Sequence, residues 1–151
     1  MKSIFNKSTI AEFKERIKKL NETNKAQWGK MNAKQMLKHC IENERMLLRE
    51  KTFKPVFIGK IFGKMALKSD IKDDRPLGKN SPTHPDLRIK EVNEPFDKLV
   101  AEWITLLDKY PSIEPSHYSD FRHPFFQKMD ASKVSPFAVK HVDHHLRQFG
   151  V

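Results

Sequence analysis

The chain is most informative first in what it lacks. One cysteine, Cys40, in 151 residues excludes a disulfide framework and a cysteine-rich zinc ribbon. No run of residues approaches the roughly 18 apolar positions that a membrane-crossing helix needs. The first twenty residues carry charges throughout and have no apolar signal core. A soluble, cytoplasmic protein with no membrane partner is the expectation. Internal repeats and low-complexity tracts are absent, and no segment alternates apolar and polar residues convincingly, which argues against a sheet.

What is present suits one folded domain. Hydrophobic residues make up 38% and charged residues 32%, and eleven Phe are spread along the chain, so it has enough apolar material to fold. Net charge is +10, from 29 Lys and Arg against 19 Asp and Glu. Such a balance opens a nucleic-acid reading. The lysines are dispersed, however, and the tight basic runs are confined to Lys18-Lys19 and the 45–54 stretch. A lysine-rich solvated surface accounts for them better.

Four segments carry the helical period. The first is about 9–20, with capping-box spacing at Thr9 and Glu12 and apolar Ile10, Phe13, Ile17 and Leu20. The second is about 33–50, led by Asn32 and Gln35. The third is about 95–110, opened by Pro95 and stopped by Pro111. The fourth is about 136–149, with Ser135 as N-cap and Pro136 at the first helical position. A shorter helix around 59–68 fits the apolar stretch after Phe53. The proline-containing 70–94 and 111–134 stretches read as long ordered loops, and such loops in small domains are often functional. Together these features predict an all-α fold: one domain, a four-helix bundle with long connections.

Histidine carries the chemistry. Three of the seven fall within five residues, His141, His144 and His145. At about 100° per residue, His141 and His145 lie one turn apart and lean toward the apolar side of their helix, whereas His144 faces outward or toward a neighbouring helix edge. Two imidazoles on one face suit a metal ion that draws a third ligand from elsewhere. The alternative is a solvated or hydrogen-bonded cluster near a helix C-terminus. His39 flanks the apolar stripe of the second helix, and the wheel leaves its direction open. Glu44 lies nearer that stripe's centre. It either orients a ligand imidazole or pairs with Lys or Arg at the bundle edge. Cys40 reads as core. His123, among Phe121, Phe125 and Phe126, is placed at a pocket mouth, and His84 and His117 are read as surface residues. Trp103, Tyr110, Phe121, Phe125 and Phe126 either shape an apolar pocket or pack in the core, and Trp103 reads as core.

Four stretches together resemble the DinB/YfiT-like superfamily: Trp28-Gly29-Lys30-Met31, 35–40 (QMLKHC), 123–126 (HPFF) and 140–149 (KHVDHHLRQF). The likeness runs over about 8–151 and is nearest to a branch of unknown function. It implies a four-helix bundle holding one divalent metal through His39, His141 and His145. Zinc, nickel or iron would suit such ligands, and sequence does not separate them. Relatives of known activity imply a metal-dependent hydrolase or a thiol-dependent transferase acting on a small molecule, with a low-molecular-weight thiol as a further cofactor. Related bundles often pair, so a homodimer is also expected. No catalytic residue follows from the likeness; Glu44, His123 and His144 are the candidates to support a ligand imidazole or to line the pocket. The competing readings are a non-catalytic bundle that binds a partner and a basic nucleic-acid-binding module.

Overall fold

The computed structural model describes residues 2–151. Among these residues five α-helices follow in order: α1 (Lys7–Ile17), α2 (Ala33–Leu47), α3 (Phe57–Ile71), α4 (Phe96–Leu107) and α5 (Ala131–Gln148), with three short 3₁₀ helices in the connections. Two two-residue strands, β1 (Arg122–His123) and β2 (Gln127–Lys128), pair as an antiparallel hairpin before α5. Helix α2 packs on α4 and α5, and α1 packs on the same two, which closes α1, α4, α2 and α5 into a four-helix ring. Helix α3 lies outside the ring against α5 and β2. The fold is all-α, a four-helix bundle with long connections. Among the described residues no helix is long and apolar enough to cross a membrane.

The core comes from the apolar stripes. Ile10, Phe13 and Ile17 of α1 meet Met36, Leu37, Ile41 and Leu47 of α2, Leu99 and Trp103 of α4, and Val142 and Leu146 of α5 in one buried cluster. Cys40 is inside it, and so are Trp103 and Tyr110, both fully buried. The capping box on α2 is present: the Gln35 N–H donates to Asn32 Oδ1 at 2.8 Å, and the Asn32 N–H donates to Gln35 Oε1 at 2.9 Å.

Several helix ends differ from the sequence expectation. Helix α1 starts two residues early, because the Asn6 carbonyl already accepts the Ile10 N–H. Thr9 is buried inside the helix rather than capping it, and Glu12 pairs with Lys2. Helix α2 stops at Leu47, since Arg49 turns into the left-handed region at φ 64°. Pro95 stands at the N-cap of α4, just outside the first turn. The largest difference is at α5, which begins at Ala131 and carries Pro136 inside it. Its extra first turn is held by the Asp130 carbonyl, which accepts the N–H groups of Lys133 and Val134, and by the full burial of Val134. Ser135 caps nothing; its Oγ accepts the Ile4 N–H at 3.1 Å and ties the N-terminal segment to α5.

Helix α3 is longer than the expected 59–68 and sits unusually close to the hairpin. A Cβ on Gly63 would fall 2.0 Å from the Phe125 carbonyl oxygen, and one on Gly59 would fall 2.5 Å from the same atom. The Gln127 side-chain amide also donates to the Lys60 carbonyl at 2.8 Å. The opposite face of α3 holds Phe57, Ile58, Ile61, Phe62 and Met65, with Phe57 75% exposed. Gly63→Ala is therefore expected to push α3 off the hairpin and to cost about 1–3 kcal/mol. Denaturant unfolding beside the wild type checks this, and an unchanged midpoint would show that α3 has room to spare.

Candidate metal centre

Helices α2 and α5 bring three imidazoles together. His39, His141 and His145 are all buried, and their ligating nitrogens lie within 4.8 Å of one another. Ring centroids are 5.2 Å apart for His39 and His141, 4.7 Å for His39 and His145, and 4.6 Å for His141 and His145. His39 Nε2 is 3.2 Å from His141 Nε2. Two nitrogens each about 2.0–2.1 Å from one cation, at angles between octahedral and tetrahedral, stand roughly 2.9–3.4 Å apart. The observed spacing falls inside that window.

The outer ring nitrogens are tied down. His39 Nδ1–H donates to the Leu87 carbonyl at 2.9 Å. A carbonyl only accepts, so that proton is on Nδ1 and Nε2 presents a lone pair. His145 Nδ1 lies 2.9 Å from Gln148 Oε1. The Gln148 amide nitrogen in turn donates to the Trp28 carbonyl at 2.8 Å, which fixes the oxygen toward His145 and leaves its Nε2 bare as well. The third ring, His141, has its Nδ1 3.3 Å from the Asn43 carboxamide. A half-turn of that amide presents either its oxygen or its NH2, so Asn43 suits either tautomer of His141. Burial holds all three imidazoles below their ordinary pKa, and at His141 and His145 the neighbouring rings add to it. All three rings are therefore neutral, the charge state a cation requires of them.

These rings line a cavity of about 670 Å³. Its walls come from the Trp28 loop, the long 72–95 connection, α3 and the hairpin. His144 belongs to this wall, half-buried and edge-on to Trp28 with centroids 5.4 Å apart. His123 lines the cavity too, with Phe125, Phe126 and Phe137; Phe121, Trp103 and Tyr110 belong to the core instead. His84 is buried in the same wall, not on the surface, because its Nε2–H donates to the Lys54 carbonyl and its Nδ1 accepts the Asp86 N–H. His117 is half-buried.

Glu44 takes neither of its expected roles. It is fully buried in the bundle core, accepts from the Tyr110 hydroxyl, and lies outside the cavity wall. Neither an imidazole nor a Lys or Arg is bonded to it among the described residues. The group that contacts His141 from α2 is Asn43, one turn after His39, and the group that contacts His145 is Gln148, one turn after it. Both spacings stand in the sequence. The Leu87 and Trp28 carbonyls left no such trace, because any residue type supplies a backbone oxygen.

A model of the DinB superfamily matches residues 7–149, so the chain belongs to that superfamily. No curated protein and no solved structure matches it.

Burial pushes the Glu44 carboxyl up from 4.5 to about 7. An acid whose folded pKa exceeds its unfolded one binds protons on folding between those values. Its ionisation therefore opposes folding as pH climbs from about 4.5 to 7. Glu44→Gln is expected to stabilise the protein relative to wild type increasingly from pH 5 to pH 8. Thermal unfolding at the two pH values checks it; a stability difference independent of pH would place the ionised group elsewhere.

Proposed function

We propose that the protein binds one divalent transition metal through Nε2 of His39, His141 and His145 and acts on a small molecule in the adjoining cavity, as a metal-dependent hydrolase or thiol-dependent transferase. The observation that carries this reading is the three-ring cluster with its outer nitrogens held by Leu87, Gln148 and Asn43. Zinc, nickel and iron all suit imidazole. When bound, such a cation is a Lewis acid able to activate water or a thiol near neutral pH.

The chain's own residues do the rest. The Leu87 carbonyl and Gln148 hold two rings in the tautomer that keeps Nε2 free. Asn43 stands with its Nδ2 3.3 Å from His141 Nδ1, and a half-turn of its amide would present the oxygen and let that ring carry its proton on the outer nitrogen. Phe125, Phe126 and Phe137 give one part of the cavity wall an aromatic, apolar lining. Three ligands leave open positions, which favours a reactive centre over a closed structural one.

Elemental analysis of wild type beside His39→Ala and His145→Ala tests the reading. Near one equivalent of metal in the wild type is expected, lost in both variants while circular dichroism stays helical. No metal in the wild type after addition of zinc or nickel would overturn it. Removing a ligand's hydrogen-bond partner is a gentler probe. Gln148→Ala is expected to weaken metal affinity about 10–100-fold, because it frees the His145 ring to turn. Competition against a chelator measures this, and unaltered affinity would show that the Trp28–Gln148–His145 chain has no bearing on the site.

A further inference from the structure

Helix α3 turns one face inward and leaves another bare. Gly59, Gly63 and Leu67 are its buried residues, and the two glycines let its backbone rest on the Phe125 carbonyl of the hairpin. At about 100° per residue these three share one narrow arc. The rest of the helix surface carries Phe57, Ile58, Ile61, Phe62 and Met65, with Ile61 58% and Met65 67% exposed. Among the described residues, every large hydrophobic side chain left exposed belongs to this one helix. Scattered exposed apolar residues are ordinary, but a cluster gathered on one face marks an interaction surface.

Charge borders that face. Lys60, Lys64 and Lys68 recur every fourth residue and form a row along one edge of it, all three exposed. The 51–69 stretch carries five lysines and no Asp or Glu, although the whole chain has 19 acidic residues in 151. Asp70, in the last turn, is half-buried and lines the cavity instead. From Phe57 to Met65 the only polar side chains are those of Lys60 and Lys64. The other edge stays apolar: Ile58 and Phe62 also line the cavity.

We propose that α3 is an interfacial helix that seats the protein on an anionic lipid surface. Its apolar side chains enter the boundary between headgroups and acyl chains, and Lys60, Lys64 and Lys68 meet the lipid phosphates. An apolar face bordered by lysines is the pattern such a helix requires. Lysine stems lie along apolar surface while their ammonium groups reach the headgroups. The face offers no groove and no neutral hydrogen-bonding side chain, so it lacks the directional contacts that select a folded protein partner. A second copy would bring the same lysines and the same net charge of +10 to the contact. The helix is already formed and held by the hairpin, so docking need not order it. With 15 residues and lysines at every turn, α3 lies on a membrane and does not cross it. The expectation of no membrane partner rests on spanning length, which an interfacial helix does without.

Co-sedimentation with lipid vesicles tests this, and no part of it depends on the three imidazoles. The wild type is expected to bind vesicles of equal parts phosphatidylcholine and phosphatidylglycerol, to bind pure phosphatidylcholine weakly, and to lose affinity as salt rises. Lys60→Gln, Lys64→Gln and Lys68→Gln together are expected to weaken binding roughly a hundredfold. Lys18→Gln, Lys19→Gln and Lys25→Gln remove as much charge from exposed lysines after α1 and are expected to weaken it far less. The apolar face needs its own variant, because a basic protein adsorbs to anionic vesicles through net charge alone. Phe57→Gln with Ile61→Gln changes two exposed side chains that do not line the cavity and leaves the charge as it is. That variant is expected to bind about tenfold more weakly or worse, while circular dichroism and the unfolding midpoint match the wild type. Binding by it as tight as wild type, or an equal loss in both lysine variants, reduces the effect to adsorption by charge and overturns the proposal. Absence of wild-type binding to the anionic vesicles overturns it too. If the wild type then proves dimeric and the Phe57→Gln, Ile61→Gln variant monomeric, the face belongs to a second copy.

Discussion

Three imidazoles packed ring against ring inside a helical bundle are expensive to bury unless each polar nitrogen has something to bond, and the rest of this structure is arranged around that demand. The helices alone deliver the rings: α2 brings His39, and α5 brings His141 and His145 one turn apart. They do not satisfy them. Two of the outer nitrogens are met by groups on the same helices, Asn43 and Gln148. The other is met by the Leu87 carbonyl, at the end of the short 3₁₀ helix Pro85–Leu87 within the 72–95 connection, and this bond ties that segment to the bundle.

The same demand reaches further out. Gln148 can aim its oxygen at His145 only because its nitrogen is claimed by the Trp28 carbonyl. Gly29 makes room for this: its backbone stands at φ 81°, and a Cβ there would lie 2.8 Å from the Gln148 amide nitrogen. The Gln27 N–H donates to the Gln148 carbonyl at 2.8 Å and fixes the loop from the other side. A run of sequence around Trp28 that carries no ligand thus sets the tautomer of a ring more than a hundred positions later.

The ring of four helices was readable from apolar spacing, because burial of Ile10, Phe13, Leu99, Trp103, Val142 and Leu146 follows the period directly. The site was half readable. His141 and His145 follow from a helix wheel, while His39 needed the family likeness, since its stripe position was ambiguous. Glu44 misled because an apolar-face carboxylate looks like a ligand partner, and the actual partner, a tyrosine hydroxyl from beyond α4, is invisible to helical spacing. Helix ends failed where tertiary contacts overrode local signals. Ser135-Pro136 is a sound start signal, yet Val134 burial and the Asp130 carbonyl extend α5 past it. His84 was misread for a similar reason, as its partners come from a loop with no period.

Phe125 links two parts of the molecule that sequence keeps far apart. Its N–H helps to anchor the His123 ring, and its carbonyl is the atom on which Gly59 and Gly63 rest. The peptide unit between Phe125 and Phe126 is engaged at both ends, its carbonyl against α3 and its N–H on the His123 ring. A substituent on Gly59 or Gly63 thus meets the same peptide unit that holds the His123 ring, so a methyl group added to α3 bears on the hairpin and on that ring together.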